Sequence, residues 1–168
     1  MEVLTYVPSN VILVISGWQV QGWNEISVAR NTPGFRQIRG IRGKNTRTRI
    51  QDTSATLTIK VPQTENMNEV MSAIHDADLE EGTARLEIML AELTGNSFFS
   101  TATGYITSYP ELTYTSDLSE RVWTIMCDES SIQVGSARSA AVGIVQNGVS
   151  RLKDFVNNTM DTVQNVLK

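Results

Sequence analysis

Seven basic side chains fall between residues 30 and 49: Arg30, Arg36, Arg39, Arg42, Lys44, Arg47 and Arg49. No Asp or Glu interrupts them. Six of the seven are arginine, whose planar fork pairs bidentately with carboxylates as well as with phosphates. The chain as a whole has 168 residues, 14 Lys plus Arg against 18 Asp plus Glu, and a net charge of −4. Outside the window, seven basic residues therefore face all eighteen acidic ones. Three readings of the segment stay open: a solvated basic loop, a contact with an acidic protein surface such as a second copy, or a nucleic-acid contact. Phe35 is the one aromatic in the window, so stacking on bases is poorly supported.

Other chemistry is sparse. His75 is the single histidine and Cys127 the single cysteine. A Ser-His-Asp or Cys-His arrangement would need His75 as its base. Its place on a helix, after Ile74 and before Asp76, reads as a surface or packing histidine at a solvent-facing or boundary position. Cys127 closes the apolar strand Trp123-Thr-Ile-Met-Cys127, where a thiol is an ordinary small core residue. Asp76, Asp78, Glu80 and Glu81 lack the glycine and terminal bidentate Glu of a calcium loop, and read as the solvated end of a helix. Gly34, Gly40 and Gly43 lack the strand-to-helix context of a phosphate loop, and no paired cysteines offer a zinc site. No cofactor, metal or enzymatic activity is expected.

The length fits one domain with an appendage, and 40% hydrophobic residues suffice for a core. No apolar run approaches the ~20 residues of a membrane span. The N-terminus contains Glu2 and no basic residue ahead of the five-residue run Val11–Ile15, unlike a signal peptide. The expectation is a chain of cytoplasmic origin, with no internal disulfide and no membrane partner.

The elements that position the basic segment are mostly strands. Val11 to Ser16 is a continuous apolar run closed by Gly17, the pattern of a strand buried on both faces. Ile26 to Ala29 alternates, and Thr32-Pro33-Gly34 is a turn. The basic window then reads as a hairpin or long loop with its tip at Gly43-Lys-Asn-Thr46. Beyond the tip, Thr46, Thr48 and Ile50 share one face and Arg47 and Arg49 the other. From Ser54 to Val61, Ala55, Leu57, Ile59 and Val61 alternate with polar residues as the inward face of a strand. Past Pro62 the period changes. Met67, Val70, Met71 and Ile74 mark a helical face over 67–81, with Asn66 and Glu69 as a capping box and Gly82 beyond the last turn. Ala84, Leu86, Ile88 and Leu90 alternate again, and Phe98–Tyr109 and Glu120–Cys127 are two further strands. Ser130 to Ser139 has linker composition. Val145, Val149, Leu152, Val156, Val163 and Val166 then fall on an approximate heptad, the signature of an amphipathic helix from about 140 or 148 to 167. The expected fold is mainly β: an antiparallel sandwich or partial barrel with one flanking helix and a C-terminal helical extension. The expected division is a β domain over 1–129, followed by linker and helix over 130–168.

The order of these features resembles the tail tube proteins of contractile-tailed bacteriophages. The resemblance rests on Ser16-Gly17-Trp18, Val20-Gln-Gly22-Trp23, Glu25-Ile-Ser-Val-Ala-Arg30 and the glycine- and arginine-rich hairpin. It continues through Thr46-Arg-Thr-Arg-Ile-Gln-Asp52, Ala55-Thr-Leu-Thr-Ile59, Gln63-Thr-Glu-Asn66 and Met71-Ser-Ala-Ile74, covering about residues 8 to 129. It implies a structural virion protein of hexameric rings stacked into a tube, inside a contractile sheath, through which DNA is ejected. The implied partners are copies of itself, the tail sheath protein, baseplate and tail terminator proteins, the tape measure protein and, transiently, DNA in the lumen. It implies assembly in the bacterial host cytoplasm and residence in the virion tail. Phe35, Arg36, Arg39, Arg42, Lys44, Arg47 and Arg49 would form the contact between rings, and Glu87 or Glu92 would face the lumen. Type VI secretion tube proteins share this architecture. The segment 130–168 departs from compact members of the family. A nucleic-acid-binding β domain using the 30–49 segment is the alternative.

Overall fold

Ser16 and Gly17 both adopt positive φ, 49° and 83°, as a two-residue hairpin turn of the primed kind demands. They fold Val11–Ile15 (β1) back onto Trp18–Val20 (β2), with Ile15 opposite Trp18. A computed structural model describes residues 6–83 and 85–135 of the chain. After β2 come Glu25–Arg30 (β3), Phe35–Arg39 (β4), Asn45–Arg49 (β5) and Ala55–Pro62 (β6). The helix Met67–Glu81 (α1) follows, then Leu86–Glu92 (β7), Phe98–Ser108 (β8), Glu120–Cys127 (β9) and Ser131–Gln133 (β10).

Every strand pairing is antiparallel. The main sheet runs β2-β1-β7-β8-β9-β6-β3, with β10 joined to β8. β9 pairs the second half of β8 and β10 its start, Ile132 opposite Phe99. Between them the chain bulges at Glu129, whose carbonyl accepts from the hydroxyls of Thr101 (2.6 Å) and Thr103 (3.3 Å). A single apolar cluster gathers Leu13 and Val20 from one end of this path and Leu57 and Ile59 from near the other. The sheet therefore curls around its core, yet β2 and β3 stay unpaired with each other and the barrel does not close. This is the mainly β, antiparallel, one-helix architecture that the alternation indicated.

Burial follows the period of two most clearly in β6, where Ala55, Leu57, Ile59 and Val61 are inaccessible and the intervening side chains half exposed. In β9 the same period buries Arg121, Trp123, Ile125 and Cys127. β1 is not buried on both faces as its continuous apolar run indicated. Leu13 and Ile15 are buried, whereas Ile12 and Val14 are half exposed because only one face of the sheet carries the core; Val11, at the strand's start, is half exposed as well.

The helix has the bounds that its periodicity indicated, and Gly82 ends it in the left-handed conformation (φ 64°), its N–H bonded to the Asp78 carbonyl at 2.7 Å. The capping box does not form. Asn66 already has helical angles and its side chain makes no cap bond. The preceding turns instead supply backbone acceptors: Asn68 N–H donates to the Glu65 carbonyl, and Glu69 and Val70 N–H to that of Asn66. The buried face is also shifted. Met67, Met71 and His75 are buried, at positions i, i+4 and i+8, while Val70 is exposed.

Ser131–Gln133, within a stretch of linker composition, is a strand with Ile132 packed against the core. The C-terminal heptad segment lies outside the described residues.

Candidate assembly interface

β4 and β5 form a two-stranded sheet of their own, separate from the main sheet. Every residue from Phe35 to Arg49 is exposed. The register pairs Phe35 with Arg49, Gln37 with Arg47 and Arg39 with Asn45. Directly opposed residues share a face, so one face carries Phe35, Arg39, Arg47 and Arg49. The Arg47 guanidinium lies 4.2 Å from the centre of the Phe35 ring, where it covers the aromatic by a cation–π contact. The other face carries Arg36 and Ile38 opposite Thr48 and Thr46. Phe35 and Ile38, three apart, therefore point to opposite faces.

The tip is Gly40–Lys44, not Gly43–Thr46: Asn45 and Thr46 already belong to β5. Gly40 N–H donates to the Lys44 carbonyl and Gly43 N–H to that of Gly40, both at 2.9 Å, and Gly43 takes the left-handed φ of 79° that closes the loop. Ile41 stands fully exposed at this tip, between Arg39, Arg42 and Lys44.

The base of the ribbon is held by a polar clamp. Arg30, the first of the seven basic residues, turns back to the body: its guanidinium donates to the Thr53 carbonyl and to the hydroxyl and carbonyl of Ser130, the latter two at 3.1 Å. The Thr32 hydroxyl and the Ser54 N–H donate to the Asp52 carboxylate. These bonds, the Thr32 contact foremost, hold the Asp52 carboxyl below its ordinary range. Asn31 links to Ser54 and Thr56. The other six basic residues are different. Among the described residues the one ion pair joins Lys60 to Glu25, and no cation of the ribbon has a carboxylate partner there.

The remaining sequence-singled residues are scattered. Alternation along β7 puts Glu87 on the exposed face with Met89 and Ala91, and Glu92 on the face of Leu86 and Ile88. The two carboxylates point to opposite sides and do not line one wall. His75 is not at the surface: it is 6% exposed, meets the Tyr109 ring edge-on at 4.6 Å, and leaves Nδ1 without a partner. The Tyr109 hydroxyl donates to Asp76. Cys127 is inaccessible, and burial pushes its thiol up to about 11. Among the described residues no group of three His, Cys, Asp or Glu side chains could hold a metal, and no helix is long and apolar enough to cross a membrane.

Residue-type arguments missed Arg121. It is 5% exposed, and its guanidinium donates to the carbonyls of Glu111 (3.3 Å) and Thr113 (3.2 Å) and lies 5.0 Å from the Tyr114 ring centre. It thereby pins the β8–β9 connection, residues 109–119, beside α1. A cleft of about 240 Å³ remains there, lined by Asn68, Ser72, Tyr109, Pro110, Leu112, Arg121 and Trp123. The alternation of β9, which places residue 121 in phase with Trp123, was the available signal.

No protein-family model matches the chain. It is 25% identical over 142 residues to structural protein ORF10 of Pseudomonas phage KPP10, an alignment covering 78% of this chain and 82% of that protein. Among solved structures it superposes on the tube-terminating cap of the anti-feeding prophage with a TM-score of 0.56 at 16% identity, covering 80% of this chain and 95% of the other. A chain of the PVC sheath–tube complex, from an extracellular contractile injection system in the extended state, gives a TM-score of 0.54 at 17% identity, over 77% and 92%. The PVC sheath/tube terminator gives 0.52 at 14%, over 77% and 97%. The chain thus has the fold of contractile-tail tube and cap components, and a phage structural protein is its relative in sequence.

Proposed function

We propose that this chain is a structural component of a phage contractile tail, a tube or tube-terminating protein whose copies form hexameric rings that stack around a channel for DNA. The observation that carries this reading is the β4–β5 ribbon. An isolated two-stranded ribbon is marginally stable in water, and this one leaves Phe35, Ile38 and Ile41 exposed and its six cations without a carboxylate partner among the described residues. It is built to meet another surface. The unpaired edges β2 and β3 are complementary features, since joining them between neighbours in a ring would remove both edges. A phage structural protein and injection-system tube assemblies among the similar proteins support the same role. By analogy the sheath, baseplate and terminator proteins are its partners on the outside and ends of the tube. The tape measure protein and DNA occupy the lumen, and the role is architectural and not catalytic. Residues 130–168 are an extension to the ring-forming domain, with β10 still part of the sheet.

The nucleic-acid reading is weaker. The ribbon carries one aromatic ring, and Arg47 already occupies one of its faces, far short of the succession of stacking platforms that single-strand binding uses.

Reversing charge at Arg39, Arg42 and Arg47 to Glu tests the role of the ribbon. The triple variant is expected to keep its circular dichroism and cooperative melting while forming no tubes in electron micrographs. Normal tubes from a folded triple variant would overturn the stacking role.

A further inference from the structure

We propose that the ribbon tip of one copy docks into the cleft between α1 and the 109–119 connection of a second copy in the adjacent ring. This rests on the stacking role proposed above and names the surface that receives the ribbon.

Charge is the first argument. Residues 35–49 contain six basic side chains and no acidic one, whereas α1 contains five carboxylates and no Lys or Arg, and residues 109–119 add Glu111 and Asp117 without a base. The two most one-sided segments of the described chain are therefore of opposite sign. The one cation lining the cleft, Arg121, is buried and bonded to backbone carbonyls, so it organises the wall and does not present charge outward.

Shape is the second. The cleft has an apolar interior: Leu112 and Tyr109 are exposed at its side, and Trp123, fixed by a 3.0 Å bond from its indole N–H to the Asn68 side chain, lines it. No residue of the chain's own ribbon is among its lining. A cavity of about 150 Å³ suffices for a benzene ring, so a cleft of this size admits the Ile41 side chain. Seating Ile41 there brings Arg39, Arg42 and Lys44 to the rim. Close to that rim, Asp76 is bonded to Tyr109, while Glu69 follows the lining residue Asn68 in the chain and Glu111 lies between Pro110 and Leu112.

Symmetry is the third. Tip and cleft are different patches of one chain, so each copy fills the next and is filled by the one before. Such a heterologous contact does not close as a dimer but runs on from copy to copy, as stacking requires once the β2 and β3 edges serve the contact within a ring.

The test is a charge swap read by tube yield in electron micrographs. Arg39→Glu with Arg42→Glu is expected to lower assembly at least about tenfold, and Glu69→Lys with Glu111→Lys to do the same. All four substitutions in one chain are expected to restore tubes. Failure of both pairs to reduce assembly would overturn the stacking role of the ribbon. If the ribbon pair blocks assembly but the cleft pair leaves it normal, the cleft is the wrong acceptor and stacking stands. Loss without restoration in the fourfold variant would also overturn the pairing. A second measurement does not depend on charge. Ile41→Cys combined with Leu112→Cys, oxidised after assembly, is expected to give a ladder of linked multimers on a non-reducing gel. Monomers alone, or an internally linked monomer, would overturn the proposal.

Discussion

Cys127 and Arg121 lie in phase on one strand and are both buried, yet their chemistry is opposite. Cys127 contributes volume to the core, and desolvation holds its thiol protonated up to about pH 11. At pH 8 the thiolate fraction is therefore about one in a thousand. The native protein is expected to resist alkylation by iodoacetamide at pH 8 and to react fully once unfolded; rapid labelling of the folded chain would contradict the burial. Arg121 keeps its charge and satisfies it with two carbonyls and a ring face. The character of Cys127 was legible in its strand alternation. His75, read as a surface or packing side chain, is the latter; its burial was not visible because a helical face counted only in apolar types stops at Ile74, and the stripe that is buried continues as Met67, Met71, His75. Arg30 was likewise grouped with the ribbon cations by type, although it ties the base of the ribbon to Thr53 and Ser130.

Helix α1 shows how a sequence rule can give the right element through the wrong contact. Asn66 looks like its cap but makes no cap bond. Two residues on, Asn68 accepts the Trp123 indole N–H and donates to the carbonyls of Pro62 (2.9 Å) and Glu65 (3.1 Å). Asn66→Ala is therefore expected to change stability by no more than a few tenths of a kcal/mol, within the usual range for exposed sites. Asn68→Ala, which strips a buried indole of its acceptor, is expected to cost about 1–3 kcal/mol in denaturant unfolding. Equal effects would mean that Asn66 caps in solution. The bounds of β9 and α1, and those of β6 to within one residue, were readable because long periodic runs carry their own phase. The pieces that were not, β2 and β10, are three residues each. They are strands because a neighbour pairs with them, and three residues are too few to show a period.

At the scale of the molecule, the order β2-β1-β7-β8-β9-β6-β3 joins segments far apart in sequence, and no local pattern specifies which strands become neighbours. The charge segregation was legible, because it needs only counting. Its meaning depends on three structural facts: the basic segment is a separate ribbon, its cations have no partner in the described chain, and the sheet ends in two open edges. Each is a feature that the proposed assembly of copies would use. The purified protein imaged by negative-stain electron microscopy, over a range of protein concentrations, tests this most directly. Six-membered rings or hollow tubes that grow with concentration are the predicted result. A folded protein that remains monomeric throughout that range, at low as well as moderate salt, would contradict the account.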